Sequence, residues 1–182
     1  KFLARASKVF FSGDDALLRA VRDEFAREGF VCIAPQDIIS DLLICAGPLG
    51  HHQPDDSAHQ DIKRGIAVLQ ALAPLDVGQA VVVQQGLVLG IEAIEGTAAL
   101  IKRSGDLKRA GAGGVLVKLS KTNQDQKIDL PTIGPDTIAQ AKAAGLRGIA
   151  IEARRTLLLD LPRTLKEADD AGIFVFGIEL AS

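Results

Sequence analysis

Tryptophan and tyrosine are absent from this 182-residue chain, and phenylalanine occurs only seven times. An aromatic core is therefore excluded, and burial has to be achieved by Val, Ile, Leu and Ala. Aliphatic runs of that kind suit parallel strands covered by helices on both faces. Charge of one sign is also lacking. The formal net charge is −2, so no global basic field points to nucleic acid, and the RRM and zinc-finger signatures are missing. Cysteine is scarce: Cys32 and Cys45 make no metal-ligand spacing, and Cys32, inside an apolar run, reads as a buried free thiol. No apolar run approaches the length of a membrane span and no signal peptide is visible, which makes a cytoplasmic protein the expectation.

Several catalytic signatures are missing as well. There is no GxxxxGK[ST] phosphate loop and no Gly-x-Ser-x-Gly setting for a nucleophile. GAGG (111–114) precedes an apolar run rather than following one, so it is no dinucleotide fingerprint and reads as a turn. His51, His52 and His59 lie in or beside a polar loop, where neighbouring side chains diverge, and a solvated loop is favoured over a metal site.

What is present is a hydrophobic fraction of 47%, too high for a disordered tail, in a length that fits one large domain or one domain with a small appendage. KVFF (8–11) reads as a short strand, and Asp14 opens a helix that Gly29 closes. FVCIA (30–34) reads as a strand, QDIISDLL after Pro35 as a short helix, and AGPLGHHQPDDS (46–57) as a loop. Ser57 is placed to cap a helix running to about Leu72. QAVVVQQGLVLGIEAIEG forms two apolar runs broken at Gln84-Gln85-Gly86, the pattern of a hairpin or bulged strand pair. Helix TAALIKRSGDLKR, strand GGVLVKL, helix PDTIAQAKAAGL, strand GIAIEA, a short strand in RTLLLD, helix LPRTLKEADDAG and strand IFVFGIEL complete the order. Strands alternating with helices predict an α/β fold, with a mostly parallel sheet and helices on its faces.

In such a sheet the loops after strand C-termini form the ligand crevice. Glu92 and Glu95 flank the end of one strand, and Thr97 stands at a helix start, where backbone N–H groups favour anions. The polar stretch KLSKTNQDQKIDLPTIGP (118–135) supplies Lys118, Lys121, Gln124, Asp125, Asp129 and Thr132, and residues 102–127 are locally basic. Lysines beside carboxylates are what a phosphate ester and a divalent metal together require. A solvated surface loop is the competing reading.

At QAVVVQQGLVLGIEAIEGT and GGVLVKLSKTNQDQKIDLPTIGP the sequence resembles the C-terminal part of the LpxI-type UDP-2,3-diacylglucosamine pyrophosphatases of lipid A biosynthesis. GDDALLRAV, LDVGQAVVVQ, GLRGIAIEA and ADDAGIFVFG match the same family in the same order. Members of that family carry a further N-terminal domain. The resemblance therefore implies the C-terminal domain of a two-domain protein over residues 13–182, with 1–12 a remnant of a linker or preceding domain. It implies Mg²⁺-dependent hydrolysis of UDP-2,3-diacylglucosamine to UMP and 2,3-diacylglucosamine 1-phosphate. The substrate or that lipid product would be the partner, not nucleic acid, and the reading leaves room for peripheral inner-membrane contact and for an oligomer.

Under the resemblance, Glu92, Glu95, Asp125 and Asp129 become candidates for holding Mg²⁺ or positioning water, with Glu95, Asp125 and Asp129 as the metal set. Lys118 and Lys121 become candidates for neutralising the pyrophosphate, and Thr97, Gln124 and Thr132 for hydrogen bonding to it. Gln84 and Gln85 are expected to face the same crevice. One position departs from the family pattern: Ala98 follows Glu-Gly-Thr where an aspartate is usual. That departure implies impaired turnover, or a binding module for a nucleotide sugar or lipid phosphate.

Overall fold

A computed structural model describes residues 14–33, residue 38, 43–120 and 130–180. The chain divides into two compact units. The described part of the smaller comprises 14–33, Ile38 and Leu130. Its helix α1 (Asp14–Arg27) ends at Gly29, whose φ of 88° is a left-handed conformation that glycine adopts without strain. The ring of Phe30 then meets that of Phe25 edge-on at 5.9 Å. The run FVCI, expected as a strand, has no regular structure over 30–33, and Phe30, Val31 and Ile33 are exposed. Cys32 is only partly buried, contrary to the buried thiol expected for it. KVFF lies outside the described residues, as does QDIISDLL apart from Ile38 and Leu43, which bridges Leu157.

The larger unit is built on a six-stranded sheet of β1 (Gly47–Leu49), β2 (Ala80–Gln84), β3 (Leu87–Ile91), β4 (Val115–Lys118), β6 (Gly148–Glu152) and β8 (Phe174–Ile178). The spatial order is β1-β8-β6-β4-β2-β3. β5 (Thr132–Ile133) and β7 (Leu157–Leu158) pair in parallel apart from it. Only the central β4–β6 and β6–β8 pairings of the main sheet are parallel. The sheet is thus α/β and mixed, not mostly parallel as expected.

The cause lies in the hairpin. Gln85 (φ 52°) and Gly86 (φ 75°) make a two-residue turn with both central residues left-handed, the geometry that matches strand twist in tight hairpins. β3 therefore returns antiparallel to β2, and β4 pairs with the other side of β2, also antiparallel. β3 and β4 consequently run the same way with β2 between them. The alternation of strand and helix was a correct signal of crossovers, but it does not reveal an inserted strand.

Helix α2 (Asp56–Leu72) covers one sheet face through Ala58, Ile62 and Leu69, which pack with Val81, Val83, Val115, Val117 and Ala150. Helices α3 (Gly96–Asp106), α4 (Pro135–Ala143) and α5 (Leu161–Ala171) cover the other. There Leu100, Ile101, Ile138, Ala141 and Ala168 meet Val82, Leu116, Ile149, Ile151 and Val175. Successive strand residues alternate between these two cores, which is why β2, β4 and β6 read as unbroken apolar runs. At Gly65 an added Cβ would lie 2.6 Å from Val117 Cγ2, so glycine lets α2 lie close on the sheet.

The cap of α2 is Asp55 rather than Ser57. Its carboxylate accepts the Ala58 N–H at 2.7 Å, and the Ser57 hydroxyl donates to it at 2.9 Å. The expected loop 46–57 contains β1, a short edge strand antiparallel to β8.

Candidate functional site

Because β3, β4, β6 and β8 run in one direction, their C-terminal ends share one sheet edge with the start of β2. Glu92, Lys118, Glu152 and Gln79 therefore come together along that edge. The register opposes Ala80 to Lys118, and the Glu92 N–H donates to the Ala80 carbonyl at 2.8 Å.

Glu92 and Lys118 are 5% and 6% exposed. Burying either charge alone is costly, and each has partners. Glu92 Oε1 accepts the Thr97 hydroxyl at 2.7 Å, and Oε2 accepts the Gln79 N–H at 3.0 Å. Lys118 Nζ donates to Thr97 Oγ1 at 3.0 Å. The Thr97 hydroxyl thus links an ammonium to a carboxylate, donating to one while accepting from the other. Gly78 permits this approach, since a Cβ there (φ 58°) would lie 2.0 Å from the Glu92 carbonyl oxygen.

Glu95 and Thr97 sit at the start of α3, whose first-turn N–H groups carry partial positive charge. Glu95 is committed elsewhere than to Thr97 or Lys118. Its Oε1 accepts from Arg103 Nη2 at 2.7 Å and Nε at 3.1 Å, and its Oε2 from the Ala93 N–H at 3.1 Å. The Arg103 hydrogen bond holds the Glu95 carboxyl below the usual carboxylate range. Arg103 also donates to the Ile91 carbonyl at 2.6 Å, tying the loop after β3 to α3.

Ala98 is exposed on the first turn of α3, where it lines a groove with Lys102, Gly105, Lys108 and Gln140. Thr132 lies on β5, opposite Leu157 and outside the main sheet. Lys121, Gln124, Asp125 and Asp129 lie outside the described residues.

Gln84 and Gln85 do not face this edge. Gln84 ends β2 at its opposite end, Gln85 opens the turn there, and both have structural partners. The fully buried Gln84 amide donates to the carbonyls of Arg109 (2.9 Å) and Ala112 (2.8 Å) and accepts the Arg109 N–H at 2.9 Å. Gln85 Nε2 donates to the Ala110 carbonyl at 3.0 Å. These amides clamp the GAGG turn, whose Gly113 lies so close to the Gly145 carbonyl that a Cβ would sit 2.2 Å from it. The turn reading of GAGG is the one this packing supports.

His51 and His52 do not diverge as expected, since both meet Asp169. His51 Nδ1 lies 2.9 Å from Asp169, His52 Nε2 lies 3.1 Å from the Asp169 carbonyl, and His59 packs edge-on against Phe176. Among the described residues no three His, Cys, Asp or Glu side chains converge as a metal site. No described helix is long and apolar enough to cross a membrane.

Sequence reasoning missed two buried carboxylates. Asp61, 1% exposed, accepts the turn N–H groups of Gln85 (3.2 Å) and Gly86 (2.7 Å) and pairs with Arg147 at 3.2 Å. That network stands at the hairpin end of the sheet and pins the turn to α2. Glu152 ends β6 at the same edge as Lys118. Its Oε2 accepts both the N–H (2.8 Å) and the hydroxyl (2.5 Å) of Ser120. The rule that singled out Glu92, an acidic residue closing an apolar strand, applies equally to GIAIE and would have found Glu152.

Residues 45–176 match the family model described as the LpxI C-terminal domain. Over 173 residues the chain is 43% identical to the UDP-2,3-diacylglucosamine pyrophosphatase LpxI of Caulobacter vibrioides. The match covers 92% of this chain and 62% of that relative, so the chain spans about three fifths of its length. With five of the six sheet strands, the start of β8 and the whole Gln79–Glu152 edge inside the matched span, this chain belongs to the LpxI C-terminal domain family.

Proposed function

We propose that this chain supplies the phosphate-handling edge of an enzyme that hydrolyses the pyrophosphate of UDP-2,3-diacylglucosamine. Water adds to the sugar-side phosphorus, the bond from that phosphorus to the bridging oxygen breaks, and the oxygen leaves with UMP. The other product is 2,3-diacylglucosamine 1-phosphate. The observation that carries the reading is the Lys118–Thr97–Glu92 chain at the N-terminus of α3, in a relative of a named pyrophosphatase.

An anionic diester needs fixed positive charge where charge accumulates. Lys118 supplies a full charge, and the first turn of α3 supplies N–H dipoles. Thr97 and Glu92 fix the ammonium in place, so its position costs no reorganisation when substrate arrives. Leu75, Val77 and Ile94 are exposed on the two segments that meet at Gly78 and Glu92, and they offer apolar surface toward acyl chains or a membrane face.

Mg²⁺ belongs to the proposal as a cofactor to be tested. Such an ion needs one or two carboxylates beside phosphate oxygens and water. Glu92 and Glu95 are already engaged by protein donors and make no such set between them. Asp125 and Asp129 therefore remain the proposed ligands.

A second reading is favoured by Ala98, which puts a methyl group where the family pattern has a carboxylate. On that reading the chain binds a nucleotide sugar or lipid phosphate without cleaving it. The deciding experiment measures UMP release from UDP-2,3-diacylglucosamine by the full-length protein and by its Ala98→Asp variant. Release by either supports the hydrolytic fold of this site, and a rise in the variant assigns the deficit to Ala98. No release by either, with substrate still bound, establishes the binder.

A further inference from the structure

A short link, Ala93 to Gly96, joins Glu92 to Thr97, and one residue from the far end of α3 fixes that link. Arg103, in the last turn of α3, reaches back across the end strand β3. At Gly90 an added Cβ would lie 2.6 Å from Arg103 Nη1, so glycine leaves the guanidinium room to lie there. Nη2 donates to the Ile91 carbonyl at 2.6 Å and to Glu95 Oε1 at 2.7 Å, and Nε donates to the same carboxylate oxygen at 3.1 Å. Glu95 Oε2 accepts the Ala93 N–H at 3.1 Å, and the Gly96 N–H donates to the Ala93 carbonyl at 3.4 Å. Arg103 thus ties the link at the end of β3 and at the start of α3.

Glu95 stands at the N-cap position of α3, yet its side chain makes no capping hydrogen bond. An acidic side chain at a helix start is ordinarily drawn to the first-turn N–H groups, which carry partial positive charge. Here the carboxylate is turned the other way. Two N–H groups of Arg103 converge on one of its oxygens, and the Ala93 N–H takes the other. A lysine has no such rigid fork of donors. The first-turn N–H groups left uncovered are those that an anion beside Lys118 and Thr97 meets. An ionised carboxylate at that position is a built-in competitor for the anion.

We propose that Arg103 is a positioning residue: it holds the Glu95 carboxylate off the start of α3 and so leaves the first-turn N–H groups to a phosphate. Without Arg103 the carboxylate turns onto those groups, fills part of the seat and repels an incoming anion. The inference rests on the phosphate-handling edge proposed above. It adds that the defect of an Arg103 variant lies in binding, and that Glu95 causes it.

The test measures inorganic pyrophosphate binding to the full chain by titration calorimetry, and kcat and KM of the full-length protein with UDP-2,3-diacylglucosamine. Both are run on wild type, Arg103→Gln, Arg103→Lys and the double variant Arg103→Gln/Glu95→Gln, with a thermal melt of each. Arg103→Gln should weaken pyrophosphate about 5- to 10-fold, the worth of one charge at a helix end, and raise KM by a similar factor with kcat little changed. Arg103→Lys keeps the charge and should fall between Arg103→Gln and wild type. The double variant should recover affinity and KM. Its melting temperature should still stay below that of wild type, because the Ile91 tie is missing from it as from Arg103→Gln. A purely structural tie predicts instead that affinity and melting temperature fall together in both. Unchanged affinity in Arg103→Gln, a double variant as weak as the single, or no pyrophosphate binding by wild type overturns the proposal. If affinity follows the expected pattern but UDP-2,3-diacylglucosamine is not cleaved, the Arg103 role stands and the hydrolase reading falls. If cleavage occurs with a KM indifferent to Arg103→Gln, the reverse holds.

Discussion

Thr97 Oγ1 receives a hydrogen bond from Lys118 Nζ at 3.0 Å and passes its own proton toward Glu92 at 2.7 Å. One hydroxyl therefore mediates between two buried, oppositely charged groups on adjacent parts of one sheet edge. Thr97→Val keeps the shape and removes the mediation. It should cost about 1–3 kcal/mol in urea unfolding, the usual penalty for stranding buried polar partners. Thr97→Ser should restore most of it. A Val variant as stable as wild type would mean the bridge contributes nothing.

Lys118 and Lys108 separate charge at the site from charge in the neighbourhood. Lys108 is exposed beyond the end of α3. In an active full-length protein, Lys118→Ala should lower UMP release by ~10²-fold or more, as removal of a preorganised charge-stabilising donor does. Lys108→Ala should leave it within about 2-fold, a surface-charge effect. Equal losses would remove Lys118 from the assignment.

Glu95 should make acid stability depend on Arg103. The folded carboxyl is held below its ordinary value, chiefly by the Arg103 hydrogen bond. The stabilisation is therefore present above the unfolded carboxylate pKa, about 4.3. It disappears as pH falls through the lower folded value. Arg103→Gln should be less stable than wild type near neutral pH, and the gap should narrow in strong acid to what the Arg103–Ile91 carbonyl bond contributes. A difference that stays constant across the titration would show that Arg103 acts through packing alone.

Asp61 offers a contrast, since it is buried, paired with Arg147 and far from Lys118 along β2. Asp61→Ala should destabilise by ~1–3 kcal/mol, the cost of stranding the turn N–H groups of Gln85 and Gly86, since Arg147 keeps its pairing with Asp55. Per folded molecule, UMP binding should be unchanged. Reduced affinity in the folded fraction would place the hairpin end in the binding machinery.

Gly65 supports α2 against the sheet. Gly65→Ala puts a methyl group about where Val117 Cγ2 already stands, 2.6 Å away. Overpacking of this kind costs ~1–3 kcal/mol. The gain in helix propensity, about 1 kcal/mol, offsets only part of it. A denaturation midpoint at or above wild type would show that the helix moves aside freely.

Much of the fold was legible in the sequence. VVV, VLV and IAI read as buried strands because both sheet faces are covered, and QQG marked its turn because the hairpin needs left-handed residues there. Glu92 and Thr97 were legible for a similar reason, each standing at the boundary of an element. Strand order was not legible. The insertion of β2 between β3 and β4 depends on which long-range pairing wins, and no local pattern encodes that. The same insertion sent Gln84 and Gln85 to the far end, although they stand close in sequence to Glu92. FVCI misled in the other direction, because an apolar run alone does not supply the neighbouring strand it needs.

Gln79, Glu92, Thr97 and Lys118 all come from β2, β3, α3, β4 and their connections, one uninterrupted stretch of chain. The Gln79 carbonyl takes the Leu119 N–H, its N–H holds Glu92, and the Glu92 N–H returns to Ala80. No one of these bonds opens without loosening the next. The edge should therefore behave as a single cooperative opening unit, its amide protons exchanging together.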